Sequence, residues 1–363
     1  MEDRAYLGFD VHERTTTACL AWKDGDELKR YDLGAVATTE AALREAAVGW
    51  DARLGDLWPP VAVMETGGRS LLVHDALVPF VDEVWVVAAE EVARLRGHRP
   101  KTDKEDAFSL ARLAAQGLLH PLWIPSPQVL GLRALVRTRR TCVQRQTMLA
   151  NQLRAYANQG GNPVDRGQTL SGANLRRLRT ARWKTADFAV AVEALIEEAE
   201  ALAGTLRKLT GRMEVSFGES QYAQWLDTLP RCGVVTSLTL ATEIGDIGRF
   251  ESADCLRSFA GLTPGLRESA GKTTGSGLSK HGNRHLRYAF MVLANQMGFL
   301  PADEEELAAL YWREVNKRRQ MRGAQIKAQA IVASRLCEIV YAMLRQGRGY
   351  ERRAAEQQIC RTA

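Results

Sequence analysis

The chain has 363 residues, 45% of them hydrophobic and 25% charged, which reads as an ordinary soluble globular protein of two or three domains. No run approaches the roughly 18 uninterrupted apolar residues of a membrane span, and Met1 to Asp10 lacks the architecture of a signal peptide. Six cysteines without a C-x-x-C spacing argue against zinc ligation or disulfides and for reduced thiols, so a cytoplasmic location with no membrane partner is expected.

Residues 5–24 alternate in the manner of strands: Tyr6 to Val11, a turn through His12 to Arg14, then Thr15 to Trp22. Lys23 to Asp26 predicts a second tight turn centred on Asp24-Gly25, leading into a third short strand from Glu27. Residues 39–54 predict an amphipathic helix opened by Thr39, with Ala41, Leu43, Ala46 and Ala47 at helical spacing. Val61 to Met64 is a short buried-type strand closed by Glu65. A helix from about Arg69 to Val78, a strand over Glu83 to Val87 and a helix from Thr102 through Ala115 follow. This order predicts a mixed α/β sheet with helices on its faces.

Pro121, Pro125 and Pro127 mark a boundary. Residues 127–158 predict a long helix and 184–210 a second. They read either as an antiparallel arm of coiled-coil type or as a bundle packed on the rest of the protein. A helix over 234–244, followed by Gly245, has the outline of half a helix-hairpin-helix, which a simple helix cap explains as well. A glycine- and serine-rich stretch covers 261–283, and the remainder is mostly helical. The expected domains are 1–125, 126–225 and 226–363.

The positive charge, +6 overall, falls in blocks. No acid lies between Asp106 and Asp165, against seven arginines that include Arg137, Arg139 and Arg140. None lies between Glu268 and Asp303, against Lys272, Lys280, Arg284 and Arg287, and none from Lys317 to Arg335. Solvated faces usually mix signs, whereas phosphate backbones reward acid-free blocks by counterion release. A nucleic-acid partner is therefore expected, with Arg137, Arg139, Arg140, Lys272, Lys280, Asn283 and Arg287 as candidate contacts.

Four carboxylates carry the chemistry. Asp10 sits where the first strand ends its apolar run, Glu65 closes the strand at 61–64, and Asp103 and Asp106 lie three apart at a helix start, on one face. Two-metal phosphoryl chemistry needs oxygen ligands from several directions on rigid supports. Taken alone, Asp103 reads as a cap of a helix beginning near Lys104, with Asp106 favoured by the helix dipole. Asp10 is harder to explain that way, because an acid inside an apolar strand costs desolvation unless a partner or a metal meets it. A second constellation runs through Gly261 to Pro264, Glu268 to Lys272 and Gly277 to Asn283, ending at Leu286-Arg287. Its small residues allow close backbone approach, its serines offer a nucleophile, and its cations suit phosphoryl charge. A flexible surface loop with basic tips has the same composition.

Gly8-Phe9-Asp10-Val11-His12, Glu65-Thr66-Gly67 and Lys101 to Ala107 with Leu110-Ala111, followed by the two glycine/serine blocks, resemble in order the insertion-sequence transposases of the Asp-Glu-Asp-Asp type, the insertion sequence 110 family. The resemblance implies an RNase H/RuvC-like mixed-sheet domain, a helical insertion and a mostly helical C-terminal transposase domain, together an α/β plus α fold. It implies that Asp10, Glu65, Asp103 and Asp106 bind Mg²⁺, and that Ser269 attacks DNA to give a serine-linked intermediate. Ser276 and Ser279 stand near it as lesser candidates, and the family's Ser-Gly-Gly is here Ser269-Ala270-Gly271. It implies donor and target DNA, a structured guide RNA, and a homo-oligomer (dimer or tetramer) joining the carboxylates of one subunit to the serine of another. The competing activities are a junction-resolving nuclease that uses water as nucleophile and a non-catalytic nucleic-acid-binding protein.

Overall fold

A computed structural model describes residues 4–96, 102–164, 172–269, 272–279, 281–303 and 305–351, with the backbone alone at 266–269 and 272–276. The chain divides into two compact units, residues 1–124 and 125–363.

The first unit is built on one five-stranded sheet of order β3-β2-β1-β4-β5. Its strands are β1 (Tyr6–Val11), β2 (Thr15–Asp24), β3 (Glu27–Ala37), β4 (Val61–Glu65) and β5 (Glu83–Val87). β1, β2 and β3 form an antiparallel meander, while β4 pairs parallel to β1 and β5 parallel to β4. Asp24 pairs with Glu27, so the two loop residues of the second hairpin are Gly25 and Asp26, one position later than the composition suggested. Gly25 takes the left-handed conformation the turn requires, with φ 63°.

Side chains alternate across the sheet and sort the two cores. Leu7, Phe9, Ala62 and Met64 pack on one face with Leu43, Ala47 and Trp50 of α1 (Glu40–Leu54) and Val73, Ala76 and Leu77 of α2 (Ser70–Leu77). Val61, Val63 and Val87 pack on the other with Val92 of α3 (Ala89–Arg96) and Leu110, Leu113 and Ala114 of α4 (Asp103–Ala115). The result is a mixed α/β layer structure, compatible with an RNase H-like domain.

Among its described residues, the regular structure of the second unit is helical apart from one hairpin. Its two longest helices, α5 (Pro127–Gln159) and α7 (Ala186–Gly218), have 33 residues each, about 50 Å at 1.5 Å per residue. Pro127 stands in the first turn of α5, where its missing N–H costs nothing, and Ser126 caps that helix. The two run antiparallel. Arg139, early in α5, donates to Thr210, late in α7, while Lys184, just before α7, reaches the carbonyl of Gln159 at the end of α5. Leu153, Ala157, Val192 and Ile196 seal the far end together with Leu175 and Leu178 of α6 (Gly172–Arg179).

At the near end Val136 and Met213 join the core made by α8 (Gln221–Asp227), α9 (Val234–Ile244), α10 (Ala253–Phe259), α11 (Arg284–Met297), α12 (Glu306–Lys317) and α13 (Ala324–Gln346). The near end of the helical pair thus packs into the core of residues 226–363, while its far end keeps a core of its own. The glycine- and serine-rich stretch is no open loop: β6 (Pro264–Ser269) and β7 (Lys272–Leu278) pair as an antiparallel hairpin.

Candidate active site

Gly8 sets the geometry of the acidic site. A Cβ there would collide with the Ala107 carbonyl and the Ala111 amide, so only glycine lets α4 lie directly on β1. Gly8 and Asp10 share a face of β1, and that face carries α4. On β4 the same face carries Val61, Val63 and Glu65. The β1–β4 register runs from Tyr6↔Val61 to Phe9↔Met64, which makes Asp10 and Glu65 the next neighbours at the C-terminal ends of adjacent parallel strands. That end of a parallel pair is the usual place for a site in an α/β sheet.

α4 supplies the other two acids. Thr102 is its N-cap and accepts from the Glu105 amide at 3.3 Å, so the capping role that Asp103 might have filled belongs to its neighbour. Asp103 and Asp106 sit in the first turn, and Glu105, between them, turns away to pair with Arg30. His12 Nε2 lies 3.1 Å from Asp10 Oδ2 and 3.6 Å from Asp103 Oδ1. On the other side Arg96, at the end of α3, lies 3.0 Å from Asp106 Oδ1 and 3.7 Å from Glu65 Oε1. It also donates to the Asp106 carbonyl at 3.1 Å.

Burial pushes the Asp10 carboxyl above its ordinary range. His12 pulls it down, Asp106 and Asp103 push it up again, and the outcome is a raised value. A half-buried acid facing two further acids is in place to gain from a cation supplied from outside. The donor set suits one: oxygen ligands from two strands and a helix, plus an imidazole, with ligand atoms of Asp10, His12 and Asp103 all within 4.8 Å of one another. The four acids anticipated from sequence therefore lie in one neighbourhood. Sequence reasoning missed His12 and Arg96 as site residues. His12 was readable two positions after Asp10, but Arg96 closes a helix that the strand-and-helix pattern did not reveal.

The second constellation maps onto the base of the β6–β7 hairpin. Gly261 (φ 64°) and Gly282 (φ 98°) adopt left-handed conformations and bring the two ends of the segment together. The Asn283 amide donates to the Phe259 carbonyl at 2.6 Å, and the Ser279 amide to the Thr263 carbonyl at 2.9 Å. Arg287 donates to the carbonyls of Ala260 and His281, and Asn283 caps α11 and donates to Glu243. Both side chains thus have partners inside the fold. So has Arg137, whose guanidinium meets Glu243 in two bonds of 2.7 Å. Arg139 donates to Thr210, and Arg140 lies over Tyr288. Ser269 ends β6, paired in register with Lys272; the side chains of Ser269, Ser276 and Lys272, and Lys280 altogether, lie outside the described residues. Ser279 accepts from the His281 amide at 3.2 Å.

The four carboxylates sit on a mixed α/β unit compatible with a domain of the Asp-Glu-Asp-Asp transposase class, and a family model for transposases of that type matches residues 7–160. A second, described as transposase IS116/IS110/IS902 family, matches residues 223–311. The chain belongs to this family of transposases, enzymes that recombine DNA. Among its relatives are the pilin gene-inverting protein of Moraxella bovis, 28% identical over 78% of this chain and 77% of its own length, and the transposase for insertion sequence element IS1111A of Coxiella burnetii, 23% identical over 69% and 68%. No helix among the described residues is long and apolar enough to cross a membrane.

Proposed function

We propose that this transposase cleaves and exchanges DNA strands with a Mg²⁺-dependent carboxylate site and the Ser269 hydroxyl as nucleophile. The observation that carries the proposal is the gathering of Asp10, Asp103 and His12 within ligand distance, next to Glu65 and Asp106 tied by Arg96. Asp10, Glu65, Asp103 and Asp106 would hold the metal, and the imidazole of His12 stands within the same reach. Bound there, a divalent cation supplies Lewis-acid stabilisation of phosphoryl charge. The chain's own contribution is rigidity: two strand ends and a capped helix start fix the acids, and Arg96 keeps Glu65 and Asp106 side by side.

In the covalent step the Ser269 oxygen loses its proton and forms a bond to phosphorus, while the bond from phosphorus to one deoxyribose oxygen breaks and that oxygen takes up a proton. Attack by a deoxyribose hydroxyl of another strand reverses the step, rejoins DNA and frees the serine. The number of phosphodiester bonds is unchanged over the cycle, so no energy source is required. Donor and target DNA are the substrates. The acid-free basic blocks suit a structured guide RNA, and a dimer or tetramer would join the carboxylates of one subunit to the serine of another.

The test is a denaturing gel of protein, Mg²⁺, RNA and labelled donor and target DNA. A protein–DNA adduct lost in both Ser269→Ala and Asp10→Asn is the expected result. Nicking that persists in Ser269→Ala without an adduct would instead assign a hydrolytic nuclease.

A further inference from the structure

Helices α5, α9 and α11 wall a pocket in the second unit, lined on its polar side by Arg137, Arg139, Arg140, Glu243, His285 and Tyr288. Val136, Val143 and Val235 form its apolar side. These arginines have different duties. Arg133 and Arg137 belong to Glu243: Arg137 grips its carboxylate bidentately, and Arg133 donates to the carbonyls of Thr242 and Glu243. Glu243 is fully buried and also accepts from Asn283 at 2.8 Å, so its charge is answered before anything enters the pocket.

Arg139 and Arg140 are held differently. Arg139 donates to a hydroxyl, that of Thr210, at 3.0 Å. The Arg140 guanidinium stacks 3.8 Å from the centre of the Tyr288 ring. Its Nη1 reaches the Arg284 carbonyl at 3.3 Å and His285 Nδ1 at 3.2 Å, and its Nε is buried with no hydrogen-bond partner. Among the described residues neither guanidinium forms an ion pair with a carboxylate. Burial, reinforced by Arg137, holds His285 below its ordinary value against the pull of Glu243. The amides at the start of α11 play no part, because Asn283 already accepts from those of His285 and Leu286.

We infer that this pocket is a phosphodiester-binding subsite on the nucleic-acid path, with Arg140 and Arg139 as its ligands and Tyr288 as a stacking platform for the adjoining base. Both guanidiniums line the pocket without a carboxylate partner among the described residues, and a planar guanidinium is suited to the paired oxygens of a phosphate. Tyr288 is 42% exposed and already oriented by Arg140, the combination of cation and aromatic ring that tracks a strand of sugar, phosphate and base. The valine wall accepts the apolar part of a nucleotide. Arg137 is excluded from the subsite by its engagement with Glu243, although it stands in the same basic run. The inference rests on the chain's being a transposase that handles nucleic acid, but not on the serine or the metal.

The experiment measures binding of the full-length protein, in chelator so that no strand is cut, to a labelled duplex DNA and to a labelled single-stranded RNA across a salt series. Arg140→Gln, Arg139→Gln and their double variant are compared with Lys23→Gln, a change of an exposed lysine on β2 of the other unit. The double variant is expected to bind roughly ten-fold or more weakly at 0.1 M salt, and its plot of log affinity against log salt should flatten by about one unit per lost phosphate contact. Arg140→Lys keeps the charge and should recover most of that slope while losing the stacking contribution. Loss with RNA alone puts the subsite on the RNA, loss with DNA alone puts it on the DNA, and loss with both makes it common to the two; each supports the inference. Unchanged affinity and slope with both ligands in a double variant that melts like the parent would overturn it. Because cleavage is not read, failure of the Ser269 chemistry leaves this result untouched.

Discussion

In the N-terminal unit Arg96 and His12 stand among four carboxylates, Asp10, Glu65, Asp103 and Asp106. In the C-terminal unit the single carboxylate of Glu243 meets Arg137, Arg133 and Asn283. The balance goes opposite ways. Burial and the neighbouring acids raise Asp10 despite His12, whereas Glu243, pushed up by burial, is brought below its ordinary value by Arg137, Asn283 and Arg133. A carboxylate left above its ordinary value is short of positive charge and ready for a cation from solution. One held below it is a fastening within the fold. Charge alone therefore does not separate a chemical site from a structural one; what separates them is whether the surrounding protein has already answered the charge.

Removing the acid that the fold leaves unanswered should have the most severe consequence. Asp10→Asn is expected to lower strand cleavage by on the order of a thousand-fold, the scale of several kcal/mol of lost metal-assisted stabilisation. A chelator should do the same to the parent protein. Yet the variant should not be less stable. A raised carboxyl contributes stability below the ordinary value of 3.8 and loses it as pH rises through the raised value. At neutral pH in chelator the ionised Asp10 is therefore unfavourable, and Asp10→Asn should melt at the same or a higher temperature. A marked fall in melting temperature would mean that Asp10 is a fastening like Glu243.

Arg137→Ala tests the opposite pole. Breaking the pair leaves a buried carboxylate with weaker partners, which costs about 2–3 kcal/mol, toward the low end for buried pairs because Arg137 is 39% exposed. Denaturant midpoints should report this loss in the second unit. The sign with pH follows from the lowered value: the stability conferred by Glu243 is complete above its ordinary 4.5 and is lost as pH falls through the lowered folded value. The difference between parent and Arg137→Ala should therefore narrow in acid. A difference that stayed constant down to strongly acid pH would remove Glu243 as its cause.

Arg96→Gln removes the guanidinium that the first unit sets between two of its four acids. Arg96 holds Glu65 and Asp106 without being a metal ligand itself, and removal of such an orienting partner typically costs 10–100-fold in metal affinity or activity. Titration with Mg²⁺ should show a weakened apparent affinity, with activity partly restored at high metal concentration. A fall in maximal rate with unaltered metal affinity would contradict a positioning role.

Much of this is legible in the sequence. The five strands of the first unit and their sequence order follow from apolar alternation and turn residues, and the four acids follow from their places at strand ends and a helix start. Their common face was not legible, because it depends on the β1–β4 register and on α4 lying against Gly8, both long-range pairings. The charge pattern was legible only as a block. Arg137, Arg139 and Arg140 look alike in sequence, but a buried acid more than a hundred residues away claims one of them and not the others. The β6–β7 hairpin was hidden for a further reason: glycine and serine fit a loop and a tightly pinned hairpin equally well, and what pins this one is the pair of left-handed glycines at its base.

The smallest expected effect concerns Thr102, and it tests whether the site depends on the exact start of α4. Thr102 Oγ1 accepts from the Glu105 amide, so the helix begins at Asp103 and the carboxylates of Asp103 and Asp106 are not drawn into capping it. In Thr102→Ala the cap is lost at a cost of about 1 kcal/mol. The first turn, which holds both acids, is then the part of α4 that frays. Asp103 becomes the nearest side chain able to cap the new end, and a carboxylate occupied with backbone amides is poorly placed for a metal. Cleavage should therefore fall by more than the small loss of stability would suggest, while Thr102→Ser, which keeps the hydroxyl, should restore both. Equal proportional losses of stability and cleavage would mean that the cap serves the helix and not the site.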